Sequence, residues 1–183
     1  MPPKQRITKD MIMESAFAVF RREGMGSVHA RSVARELHCS TQPIFSYYTG
    51  MGELKGVLEE KARETFHEAM DETLKSDDAI RDVCKAYVRF AHDEPMLFRH
   101  LFIETARGLE DLANYETVGD QLVQHAVRQY GLDEKDATEF IHIACAYTHG
   151  LASVQATGVF SMELSVADER LDTLMERMTK AYA

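Results

Sequence analysis

The stretch Ser27–Tyr48, SVHARSVARELHCSTQPIFSYY, reads as two short helices joined by a tight turn. Val33, Ala34 and Leu37 share one face at helical spacing, and Ile44, Phe45 and Tyr48 do the same after the turn. Ser40 is the expected N-cap, because its hydroxyl can accept a bond from a free amide of the first turn. Pro43 falls inside that first turn, where a missing N–H costs little. The second helix is too short and too polar on its outer face to be a core element. Thr41, Gln42, Ser46 and Tyr47 are left outside, and their groups suit base edges and phosphate oxygens. The pattern predicts a helix-turn-helix with residues 41–47 as the recognition helix.

Upstream, Ile12, Ala16, Val19 and Phe20 form the apolar stripe of a helix over residues 9–23, and Gly24 ends it. This helix is scaffold for the two that follow. Residues 1–8 read as an arm. Its Lys4 and Arg6 either reach phosphates or a minor groove, or are simply unordered. The whole chain of 183 residues carries a net charge of −9, which at first opposes nucleic-acid binding. Residues 1–50 hold seven basic against four acidic side chains, a net of +3, which leaves −12 for the remainder. A basic head on an acidic body is a DNA-binding charge pattern.

These first fifty residues resemble the DNA-binding domain of the TetR/AcrR family of one-component transcriptional regulators. The matching segments are Ala16-Phe17 through Gly24, Ser32-Val33-Ala34, His38-Cys39-Ser40, Ile44-Phe45-Ser46-Tyr47-Tyr48 and Gly52-Glu53-Leu54. His38 stands where the family usually has Gly, so a left-handed turn residue would carry a Cβ, which His tolerates better than most. Met51 stands where the family has a phosphate-binding Lys, with Lys55 as the substitute. The expected DNA-contact set is therefore Arg31, Ser40, Thr41, Gln42, Ser46, Tyr47 and Lys55.

The rest of the chain shows helical periodicity throughout, with no strand alternation and no internal repeat. One stripe runs from Met51 to about Leu74, and the resemblance implies that this helix links the head to the body and transmits a signal. Further helices are expected up to about His92, from Pro95 to Gly108, from Asp111 to Tyr130, from an Asp133 cap to Gly158, and after a Ser165 cap. The expected fold is all-α with about nine helices. A three-helix helix-turn-helix domain over residues 1–50 precedes a helical ligand-binding and dimerisation domain over residues 51–183. No apolar run is long enough to span a bilayer, and the N-terminus lacks a signal-peptide core, so a cytoplasmic location with no membrane contact is expected. Three scattered cysteines argue against a disulfide framework.

Catalytic signatures are missing: there is no phosphate loop, nucleophile elbow, CxxC or HExxH, and no enzyme activity or cofactor is expected. His142, Cys145 and His149 lie near one helical face and leave a metal-sensor alternative open. The body's aromatics Tyr87, Phe90, Phe98, Phe102, Tyr115, Phe140 and Tyr147 suit either a packed core or a cavity. The polar tips of Tyr87, His100, Tyr147 and His149 favour a cavity, with walls expected from Tyr87, Phe98, Phe102, Tyr147 and His149. Tyr147-Thr148-His149-Gly150-Leu151-Ala152 also resembles the His-Gly signature of one subgroup of TetR-like C-terminal domains, with Thr148 where that subgroup has Trp. The family resemblance implies a homodimer that binds palindromic operator DNA, usually as a repressor, and leaves it when a small-molecule effector binds. Leu151, Leu171, Leu174 and Met178 are expected at or beside the subunit interface, although the same stripe would serve an internal core. The alternative of another class is a helical protein-interaction module without ligand response.

Overall fold

A computed structural model describes residues 7–104, 109–159 and 162–182, except for the side chains of residues 109–118. Lys4, Arg6, Gly108 and the side chains of Leu112 and Tyr115 lie outside the described residues. Among the described residues the chain is all-α, with nine helices and no strand. They are α1 (Lys9–Glu23), α2 (Ala30–Glu36), α3 (Gln42–Tyr47), α4 (Met51–Asp71), α5 (Ala79–Asp93), α6 (Pro95–Arg99), α7 (Leu109–Tyr130), α8 (Glu134–Thr157) and α9 (Leu164–Tyr182). The chain divides into two compact units, Met1–Thr65 and Phe66–Ala183, so α4 starts in one and ends in the other.

The first unit is built on α1. Thr8 caps it by accepting a bond from the Met11 amide at 3.2 Å, and Gly24 closes it at φ 85°. Ile12, Ala16, Val19 and Phe20 are fully buried or nearly so, which is the stripe that the spacing predicts. Leu54, Leu58 and Ala62 of α4 are fully buried too, and Lys61 reaches Glu14 at 2.6 Å with its ammonium 5.0 Å from the Phe17 ring centroid. The start of α4 is therefore packed into the head unit.

In the second unit α5 packs on α8 and on α9. Ile80, Cys84, Val88 and Ala91 of α5 are buried, as are Ala144, Ala152 and Ala156 of α8, small residues that let helices approach closely. Leu171, Met175 and Met178 bring the inner face of α9 to the same core. Ion pairs flank this contact: Lys85 to Asp172 at 2.7 Å, Arg81 to Asp172 at 3.4 Å and Arg89 to Asp168 at 3.7 Å. Each is partly solvated and contributes about 1 kcal/mol or less, so they orient α9 more than they stabilise it. Asp133 caps α8 through the Asp136 amide, and Gly158 ends it in the left-handed region at φ 63°, both as the sequence predicts. At α9 the expectation fails. The helix begins at Leu164, so Ser165 lies within the first turn and does not cap it.

Candidate nucleic-acid interface

Helix α2 begins at a reciprocal cap. His29 Nδ1 accepts from the Ser32 amide at 3.1 Å, and the Ser32 hydroxyl accepts from the His29 amide at 3.1 Å. Histidine fills a role more usual for Ser or Asp, and the i, i+3 spacing was its only sequence signal. Leu37 closes α2, and His38 then takes the left-handed conformation at φ 52°, as the family-based reading of that position predicts. Its amide donates to the Arg35 carbonyl at 3.1 Å and the Cys39 amide donates to Ala34 at 3.0 Å, which reverses the chain within three residues.

The start of α3 departs from expectation. Thr41, not Ser40, occupies the cap position; it is helical in conformation, and its side chain makes no capping bond. Pro43 sits in the first turn, where one N–H is dispensable in any case. Ile44 and Tyr48 point inward and are essentially fully buried. Phe45, expected beside them, is 52% exposed. Successive helical residues turn by about 100°, so the inward direction midway between Ile44 and Tyr48 leaves Phe45 on the flank. The outer face of α3 thus carries exposed Gln42, Phe45, Ser46 and Tyr47, with Thr41 half-buried at its start. Arg31 and Ser40 are also exposed, and Lys55 is half-buried on α4. The Ser46 hydroxyl donates back to the Gln42 backbone carbonyl at 3.1 Å. Beyond α3, Glu53 accepts from the Thr49 amide at 2.7 Å and from its hydroxyl at 2.8 Å. These two bonds hold the Glu53 carboxyl below its usual range and secure the entry to α4.

The body holds two features of interest. Tyr87, Phe98 and Phe102 pack ring against ring, with centroids 4.9–5.4 Å apart, and Phe66 and Phe90 extend the cluster. The Tyr87 hydroxyl pairs with His149 Nδ1 at 3.1 Å at its edge. Four of the five expected cavity-wall residues therefore come together, in mutual contact. A π-helical turn, His100–Glu104, follows α6 and carries Phe102 into the cluster. Tyr147 stands apart. It lines a groove of about 430 Å³ with Val166, Glu169, Arg170, Thr173, Leu174 and Arg177 along the outer sides of α8 and α9. Of the residues expected near an interface, Leu151, Leu171 and Met178 are buried within the chain itself, and Leu174 lies on the groove. His142, Cys145 and His149 do not assemble. No three metal-ligating side chains gather among the described residues. Burial pushes the Cys84 thiol up to about 12.

Residues 80–178 match the family model described as "Tetracyclin repressor-like, C-terminal domain", which is more than half of the chain. The chain belongs to the TetR family. TetR-family proteins are transcription regulators and not enzymes. No curated protein matches this TetR-family chain. Solved structures share its fold. A TetR-like transcriptional regulator from Rhodococcus sp. RHA1 is 16% identical, with 94% of this chain and 97% of that one covered and a TM-score of 0.65. A protein from Mesorhizobium loti, described as a TetR-family transcriptional regulator, is 12% identical over 95% and 96% of the two chains, with a TM-score of 0.61. The multidrug binding protein EbrR, solved in complex with imidazole, is 12% identical over 93% and 96%, with a TM-score of 0.52.

Proposed function

We propose that this TetR-family chain is a cytoplasmic homodimer that binds a palindromic operator through α2 and α3 and releases it when a small molecule binds the body. Residues 1–50 read DNA in this scheme, and residues 51–183 carry the effector site and the dimer contact. The exposed face of α3 is the observation that carries the reading. Gln42 and Ser46 offer hydrogen-bonding groups there, and Phe45 an apolar ring, while Ile44 and Tyr48 anchor the helix from behind. A glutamine amide can pair with both edge groups of adenine, and an aromatic ring can meet a thymine methyl. Arg31 and Lys55 supply charge for phosphates beside it. Two such heads match half-sites one DNA turn apart, about 34–36 Å.

Dimer formation draws on the outer sides of α8 and α9. Ile143, Tyr147 and Val166 are large apolar side chains left more than a third exposed, and Leu174 lies among them. Leu174→Glu would place a charge in that seam. A variant that still sediments as a dimer with native helicity would move the interface elsewhere. The effector site is proposed at the Tyr87–His149 pair, where a hydrogen-bonding couple borders aromatic rings. An apolar molecule with one polar group fits that chemistry, and it would have to part the rings to enter. Relief of repression then needs preferential binding to the DNA-incompetent shape, with about 1.4 kcal/mol giving a tenfold shift.

Selection from a random duplex library at low salt, followed by gel-shift titration of the winning sequence, tests the DNA reading. A palindromic winner bound far more tightly than random DNA is the expected result. Recovery of no sequence preference would favour the interaction-module alternative.

A further inference from the structure

A threonine inside a helix has an easy partner, the carbonyl four residues back. Thr138, Thr157 and Thr179 all take it, at 2.6–2.8 Å. Thr148 on α8 does not. It is only 4% exposed, and its hydroxyl finds no oxygen or nitrogen partner among the described residues. The polar group beside it is the Cys84 thiol of α5, a weak hydrogen-bonding atom that burial keeps protonated. A buried hydroxyl left in this way is costly and calls for a reason. Cys84 and Tyr87 lie one turn apart on the same face of α5. The Thr148 hydroxyl is therefore about 5 Å along the α5–α8 contact from the Tyr87–His149 pair. His149 is exposed, and its ring lies against Tyr87 and Phe98 at centroid distances of 6.2 and 6.0 Å. Phe98 is fully buried behind it, whereas Phe66 and Phe102 are half-buried. The cations nearby in sequence are engaged elsewhere. Lys85 and Arg89 pair with Asp172 and Asp168 of α9, and Arg99 pairs with Glu104.

We infer that the effector is an uncharged aromatic alcohol of the phenol class, with its ring among Phe66, Phe98 and Phe102 and its hydroxyl bridging Thr148 and the Tyr87–His149 pair. The inference rests on the effector-site reading above and names the ligand chemistry of that site. One hydroxyl both donates and accepts, so a single group can satisfy Thr148 and bond to the pair. The cluster packs its rings edge-on and tilted, at centroid distances of 4.9–5.4 Å, and a flat ring of similar size continues that pattern where a saturated ring does not. An ionised ligand would meet no free counter-ion from Lys85, Arg89 or Arg99, and would lose its hydration on entry. A mostly apolar wall with a few convergent polar groups is the usual make-up of a small-molecule site.

The test is calorimetric titration of the full chain near neutral pH with phenol, cyclohexanol, benzoate and benzylamine, together with the melting temperature in each. Phenol should bind saturably and raise the melting temperature. Cyclohexanol keeps the hydroxyl but loses the aromatic ring, and should bind about tenfold more weakly. Benzoate and benzylamine, both ionised, should not bind. Thr148→Val keeps the shape and removes the hydroxyl, so it should weaken phenol by about tenfold, the loss of one hydrogen bond. It should also raise the melting temperature of the free protein, because an unpartnered buried hydroxyl is gone. His149→Phe keeps a ring at the exposed edge and removes the nitrogens, and should weaken phenol to a similar extent. Absence of phenol binding, equal binding of all four probes, or phenol affinity unchanged in both variants would overturn the inference. So would a lower melting temperature for Thr148→Val, since its hydroxyl would then serve the fold. Phenol binding that both variants weaken, but that leaves the protein on its selected operator in a gel shift, would uphold the ligand class and remove instead the release step of the reading on which it rests.

Discussion

In the head, Thr8 caps a helix through an amide three residues on, His29 and Ser32 cap each other at the same spacing, and Glu53 reaches Thr49 four residues back. In the body, the polar contacts that join helices span much more chain. Tyr87 meets His149 across 62 residues, and Lys85 meets Asp172 across 87. The starts of α1, α2 and α4 in the head thus carry their own short-range signal, whereas α3 has no side-chain cap and Lys61 meets Glu14 across 47 residues. The body depends on helices whose ends say little about which neighbour they meet. The difference matters for function, because a surface that reads DNA needs backbone held to a narrow geometry, whereas an effector site must admit a second arrangement.

The largest expected effect breaks the body. Phe98 is fully buried and touches Tyr87 and Phe102, so Phe98→Ala should cost about 3–5 kcal/mol in urea unfolding. Loss of under 1 kcal/mol would mean that the cluster is loosely packed and already open to ligands. A change in the head should act differently. Gln42 is exposed, so Gln42→Ala should leave unfolding unchanged yet reduce discrimination between operator and random DNA by about 1–3 kcal/mol. Equal preference in gel-shift titration would remove Gln42 from base readout.

Two smaller substitutions probe the local code itself. Thr8→Ala removes a cap and should destabilise the head by about 1 kcal/mol. His38→Gly should act in the opposite direction, by up to about 1 kcal/mol, since Gly adopts the left-handed turn without a Cβ clash. Thermal unfolding of the two variants should move to opposite sides of the parent.

The smallest effects are in pH, and they separate the two regions by sign. Glu53 has a depressed pKa through its Thr49 bonds, so its contribution is present above the ordinary value of 4.5 and is lost as pH falls through the folded value. Acid should therefore lower the melting temperature of the parent more than that of Glu53→Gln. Cys84 is shifted the other way, from 9.0 to about 12 by burial. Its contribution is intact below pH 9 and disappears as pH rises toward 12, so Cys84→Ala should show a shallower alkaline loss. At pH 8 the native protein should label with iodoacetamide at half-buried Cys39 and exposed Cys145 but at Cys84 only after unfolding, as mass spectrometry would show.

The sequence by itself determined the all-α class, the helix-turn-helix, the Asp133 cap and the Gly158 stop, while the left-handed turn at His38 came from the family resemblance. Each rests on interactions within about one helical turn, which leave their mark in adjacent residues. Only the tertiary structure decided what each apolar face meets. The step of about 100° per residue puts Phe45 on the flank of Ile44 and Tyr48, and the seating of α3 on the head decides that this flank faces solvent. The α9 stripe suited a subunit interface and an internal core equally, and packing against α5 and α8 takes Leu171, Met175 and Met178 inward while Leu174 stays on the outer groove. Tyr147 and His149 are neighbours in sequence, yet α8 sends one to the groove with α9 and the other to Tyr87. A helical repeat specifies which residues share a direction. The direction in which a neighbouring helix lies is set by volume and shape across the whole core, and no single segment contains that information.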